Sequence, residues 1–224
     1  MKKIIITILI VLSIFIIYNV MKDKKIYYVS ISDITGKDNN TSYGYIDYIE
    51  DYLEELNILE KHTEINLNQD RVTDIIRNIS DNIEYEDRTI KNILVKADLL
   101  TLSIGYNDLI SKLDNYNAYE IDSYIKTYID DLDKLFKLIR EYDKEDIIMV
   151  GYYNIYNKEY DDIIDYVNNE VKKLADKYKI SFINPSNLKE YVDGKYIKIE
   201  GQHILFDKLR YIIDSSIKVN KSKF

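Results

Sequence analysis

From Ile26 onward, short unbroken apolar runs alternate with stretches where apolar residues recur every three or four positions. The runs Ile26–Ile31, Glu64–Leu67, Asp98–Ile104, Asp146–Gly151 and Ile180–Ile183 are short and continuous, as strands buried on both faces should be. Between them the period lengthens. Ile46, Ile49, Leu53 and Leu56 share one helical face, as do Val72, Ile75, Ile76 and Ile79. The longest stripe joins Ile121, Ile125, Ile129, Leu132, Phe136 and Ile139. Two more follow, one through Ile163, Ile164, Val167, Val171 and Leu174, the other through Phe206, Leu209, Ile212, Ile213 and Ile217. Strand alternating with helix predicts a five-stranded parallel sheet covered on both faces by right-handed crossovers. No repeat and no domain-scale linker interrupts the pattern, so residues 26–224 are expected to form one α/β domain.

A different pattern precedes it. Lys2 and Lys3 introduce an apolar run from Ile4 to Val20, and Lys22, Lys24 and Lys25 close it. About 17–25 apolar residues cross a bilayer, and this run sits at the short end. A basic start and an apolar run also suit a secretory signal. The small-x-small cleavage motif is missing, because Tyr18, Asn19, Val20, Met21 and Lys22 are mostly bulky. Residues 1–25 are therefore expected to be an uncleaved signal anchor forming one transmembrane helix. Lysines flank both ends almost equally, and the signal-like layout tips the orientation toward a cytoplasmic N-terminus and an extracytoplasmic domain.

Composition narrows the chemistry. The formal net charge of -8 argues against a general nucleic-acid binder, which needs a basic face. An apolar fraction of 46% is enough for a core and excludes general disorder. The absence of cysteine removes disulfides, thiolate metal sites and a cysteine nucleophile. Histidine chemistry has two candidates, His62 and His203. His62 follows a helical stretch ending near Glu60, where a positive charge suits a helix C-terminus. No metal or organic cofactor is implied.

Ligands of parallel α/β folds bind beyond the carboxyl ends of the strands. Those ends read Ser30-Ile31-Ser32-Asp33-Ile34-Thr35-Gly36, Gly105-Tyr106-Asn107-Asp108 and Gly151-Tyr152-Tyr153-Asn154, and Glu200-Gly201-Gln202-His203 stands before the last helical stripe. In order and position these pieces resemble the SGNH, or GDSL-type, hydrolases, in particular their membrane-anchored bacterial members. The stretch from Leu100 to Leu109 is similar to the family's Gly-x-Asn-Asp block, and Tyr43 to Leu53 to the helix after its first block. The resemblance covers Ile26 to Ser216 and implies a three-layer α/β/α flavodoxin-like fold and an ester-hydrolase ancestry. It places Asp33 in the Gly-Asp-Ser block, makes Asn107 an oxyanion donor, His203 the base and Glu200 its orienter.

The departures are at the chemistry itself. Ile34 stands at the nucleophilic serine position, and isoleucine has no heteroatom with which to attack. The stretch Asn66 to Arg71 lacks the family's second-block glycine, and Glu200 replaces an aspartate. Ser32 and Thr35 are the candidate substitutes for the nucleophile. Ser32 is the better, though it lies about 6–7 Å down a regular strand. Water attack assisted by His203 and Glu200 is another route. Three functions follow. The first is a cell-envelope protein without turnover that binds a glycan, lipid or protein partner. The second is an active acyl or acetyl esterase, or lysophospholipase-like enzyme, with a relocated nucleophile. The third is an α/β phosphoryl-transfer enzyme using Asp33. Thr35 stands where such a phosphatase wants a second aspartate, and no phosphate-cradling glycine run is present, so the third has the least support. The first is the expectation.

Overall fold

In the computed structural model the described residues are 25–33, 36–38, 40–66, 71–156 and 160–222, with side chains as far as 217. The apolar run Ile4 to Val20 lies outside them; among the described residues no helix is long and apolar enough to cross a membrane.

Five parallel strands form the sheet: β1 (Ile26–Ser32), β2 (Leu59–Asn66), β5 (Leu99–Ser103), β6 (Asp146–Val150) and β7 (Ser181–Ile183), in the order β2-β1-β5-β6-β7. β3 (Glu84–Tyr85) pairs antiparallel with β4 (Arg88–Thr89), and β8 (Val192–Asp193) with β9 (Tyr196–Ile197). The helices are α1 (Tyr45–Glu55), α2 (Val72–Ser80), α3 (Ile90–Lys96), α4 (Tyr106–Asp114), α5 (Ile121–Tyr142), α6 (Asp161–Lys177) and α7 (Ile199–Ser222). α1 packs on α7 over one face of the sheet; α2, α3 and α6 pack on α5 over the other. These are the expected three layers.

The strands β1, β5 and β6 are buried almost throughout, which is why their sequences are unbroken apolar runs. β2 is an edge strand with a mixed burial pattern. It begins at Leu59, five residues before the position that hydrophobicity indicated. His62 therefore sits on β2, opposite Tyr28 of β1, and not at a helix C-terminus. Helix starts are tied by side chains: the Asp47 carboxylate accepts the Gly44 N–H at 2.8 Å, and that of Asp74 accepts the Arg71 N–H at 3.1 Å.

Candidate functional site

At the carboxyl end of the sheet, Ser32 closes β1 between Asn66 of β2 and Ser103 of β5. Ser32 is 2% exposed. The chain returns over it at Gly36, where an added Cβ would lie 3.1 Å from the Ser32 Oγ and 2.5 Å from Ile46 Cδ1. A side chain at position 36 would have to displace the tip of Ile46 and crowd Ser32. The Ser32 hydroxyl is thus roofed by its own loop. Ile34, Thr35 and the second-block positions Asn68 and Asp70 lie outside the described residues.

Asp33 is buried and works as a tie. Its N–H donates to the Ser103 carbonyl at 2.8 Å, and its carboxylate accepts the Tyr106 N–H at 2.8 Å, at the first turn of α4. Asn107 follows on that turn, half-buried. Asp108 repeats the device on α2, accepting the Val72 N–H at 2.8 Å. Burial raises the Asp108 carboxyl above the usual range, and the Val72 bond pulls it back. The turn needs Gly105, whose φ of 85° is left-handed and whose missing Cβ would meet the Tyr128 hydroxyl at 2.5 Å. Asp33 and Asp108 therefore serve the backbone of the loops at the carboxyl ends of the strands.

Tyrosines fill the space behind these loops. Tyr106 is buried and donates to the Tyr153 carbonyl. Tyr152 donates to the Ile104 carbonyl at 2.9 Å, and the Tyr128 hydroxyl reaches both the Gly105 carbonyl, at 2.9 Å, and the Tyr152 hydroxyl, at 2.7 Å. Burial pushes the phenols of Tyr106, Tyr128, Tyr152 and Tyr153 upward, so they stay neutral donors. Asn168, also buried, clamps the backbone of Tyr152 from both sides, at 2.8 and 2.7 Å.

Glu200 and His203 lie inside α7, because that helix already starts at Ile199. Glu200, His203 and Asp207 follow one another along its solvent side, all exposed. The His203 side chain is 57% exposed, and its Nδ1 lies 3.5 Å from an Asp207 carboxylate oxygen. Its ring meets Tyr48 edge-on at 5.3 Å and Phe206 at 6.1 Å. The acid beside His203 is thus Asp207, one turn later, and not Glu200. Among the described residues no hydrogen bond joins His203 to Ser32. The residue that points inward is Gln202, 0% exposed, whose Oε1 accepts the Tyr45 N–H at 3.1 Å. Sequence reasoning passed over Gln202. The signal was its spacing with Leu205 and Leu209, which share the buried side of the helix.

A second constellation went unforeseen. Ser30 Oγ lies 3.0 Å from His62 Nε2, and His62 Nδ1 lies 2.8 Å from a Glu50 carboxylate oxygen. The His62 ring stacks on Tyr28 at 4.5 Å. The connectivity is that of a serine–histidine–acid triad. Ser30 is 0% exposed in the middle of β1, beneath α1, so no substrate carbonyl reaches it. The chain is a satisfied buried polar network. Among the described residues no group of three histidines or acids is placed to hold a metal.

Residues 30–204 match the family model of GDSL-like lipases and acylhydrolases. No curated protein matches the sequence. Among solved structures, a lipase from a goat-rumen metagenome, Lip_vut3, superposes with a TM-score of 0.69 at 19% identity, over 84% of this chain and 97% of that one. The acetylxylan esterase Axe2 of Geobacillus stearothermophilus gives 0.61 at 18% identity, over 84% and 94%. An extracellular lipase of Streptomyces rimosus gives 0.55 at 13%, over 76% and 84%. At these identities the likeness is one of fold.

Proposed function

Because the chain belongs to the GDSL-like lipase/acylhydrolase family, we propose that it is a membrane-anchored, extracytoplasmic member that has kept the hydrolase fold to bind an envelope glycan, lipid or protein rather than to turn over esters. The observation that carries this reading is the state of the hydroxyl and imidazole that the family pattern leaves. Ser32 is roofed by Gly36, and His203 stands in solvent beside Asp207. A nucleophile needs its base within about 2.6–3.2 Å. With isoleucine at position 34, covalent acyl transfer from the family's own position is chemically impossible. The anchor rests on the apolar run Ile4 to Val20 and its lysine flanks. Lipases and an acetylxylan esterase share the fold, so acyl lipids and acylated glycans are the ligands to test first.

The test is turnover of short-chain p-nitrophenyl esters by the full chain and by His203→Ala. Both are expected to match the buffer rate. A wild-type rate that His203→Ala abolishes would mean a working, relocated nucleophile and would overturn the reading.

A further inference from the structure

All five strands are parallel, so their amino ends share one end of the domain and their carboxyl ends, with Ser32, Asp33 and Gly105, share the other. The chain enters β1 at Ile26, six residues after the apolar run ends at Val20. At most about 3.6 Å per residue separates the two, roughly 20 Å in all. The entry point is pinned: Lys25 Nζ donates to the carbonyl of Asn57 at 2.6 Å and to its side chain at 3.1 Å, just beyond the end of α1. An anchored domain therefore keeps the amino ends of its strands near the bilayer.

That end holds a cavity of about 760 Å³ between the C-terminal ends of α5 and α6 and the flank of α7. Arg140, Lys144, Lys177 and Lys179 line it, against Glu145 and Asp146. The Arg140 guanidinium is planted by carbonyls of Tyr178, Glu145 and Lys179 at 2.9, 2.7 and 2.6 Å. Lys177 is paired with Asp133 at 2.6 Å, while Lys144 and Lys179 are exposed. Four cations face three acids there, Glu145, Asp146 and the Asp133 that pairs with Lys177, a local excess of positive charge on a chain of net charge -8 and the sign that attracts anionic headgroups.

We propose that the domain stands on its bilayer with the strand amino ends down, the basic cavity seating the phosphate of an anionic phospholipid and the carboxyl ends of the strands facing away. The proposal rests on the anchored reading above. It narrows the ligand of the carboxyl-end site, which stands roughly one strand length, about 20 Å, above that contact. Lipid of the supporting bilayer is out of its reach, and its ligand comes from the aqueous side.

The chain has no cysteine, so single thiols report position cleanly. Glu55→Cys, exposed at the end of α1, marks the amino-end face. Tyr119→Cys, 99% exposed, marks the opposite face, because α5 starts two residues later and runs about 33 Å back to β6. The full-length variants carry a fluorophore in vesicles of phosphatidylcholine, with or without phosphatidylglycerol, that contain nitroxide-headgroup lipid. The Glu55→Cys label should be quenched several-fold more than the Tyr119→Cys label. Phosphatidylglycerol should strengthen that quenching, and Lys144→Glu with Lys179→Glu should abolish the gain; Lys144→Gln with Lys179→Gln, which keeps the side-chain bulk, should weaken it. Equal quenching, or stronger quenching at Tyr119→Cys, would overturn the stance. Quenching indifferent to phosphatidylglycerol or to both lysine pairs would overturn the headgroup site. A chain that fails to float with any vesicle would overturn the anchor itself, a separate result.

Discussion

His62 and His203 sit on the same side of the sheet and have exchanged the properties a catalytic histidine must combine. His62 has a serine on one ring nitrogen at 3.0 Å and a glutamate on the other at 2.8 Å, but its serine is sealed beneath α1. His203 has access, with more than half its side chain in solvent, but lies in loose contact with an exposed aspartate at 3.5 Å. Triad connectivity without access is a structural network. Access without an oriented acid and a nucleophile is a surface residue. Catalysis needs both in one place.

The contrast makes graded predictions. His62→Ala should cost the most, about 2–4 kcal/mol, because it removes a buried ring stacked on Tyr28 and strands Ser30 and Glu50. Urea unfolding measures it; a loss below 1 kcal/mol, roughly the worth of one ordinary hydrogen bond, would mean that the network is incidental.

Asp143 extends the comparison to a sealed acid. It is 1% exposed at the end of α5, and its second carboxylate oxygen finds no hydrogen-bond partner. Burial pushes its pKa up to about 6. A folded-state pKa above the unfolded one means that the native protein holds this proton longer. Its stabilising contribution is complete below about pH 4 and lost as pH rises through 6. The loss from this group amounts to about 1–3 kcal/mol by neutral pH. Asp143→Asn should remove that slope from unfolding curves taken between pH 4 and 6.5; an unchanged slope would assign it to other groups. His203→Ala should have the smallest effect, within about 0.5 kcal/mol, as an exposed position does. A larger loss would show that its contact with Tyr48 and Phe206 bears on the packing of α1 against α7.

Much of this molecule is legible in the sequence, for a physical reason. Central strands such as Leu99–Ser103 are buried on both faces and must be apolar throughout, so they announce themselves. The edge strand β2 need not be, and Glu60, Lys61 and His62 hid its first half. That hidden half is where the Ser30–His62–Glu50 chain lies, so the network could not be foreseen. The short α4 escaped because its start is set by the left-handed Gly105 and the Asp33 carboxylate, tertiary facts with no hydrophobic period. Asp33, Asn107, Glu200 and His203 were singled out by the resemblance of their stretches to the family's blocks. Their orientation was not legible, because one early turn of α7 decides that Gln202 faces the core and His203 faces solvent. Ser32 was visible as a hydroxyl near the strand end, but not the return of Gly36 over it.

The most direct test of the central claim, that the site lacks more than its nucleophile, is to restore the nucleophile. Full-length Ile34→Ser, alone and combined with His203→Ala, is assayed on p-nitrophenyl acetate and treated with a fluorophosphonate, with adduct mass as the second readout. With His203 resting beside Asp207, we expect the Ile34→Ser rate to remain at the wild-type level and no adduct to form at position 34. A large gain in rate with a serine adduct, both lost in the combined variant, would show His203 poised over position 34 and would contradict the account.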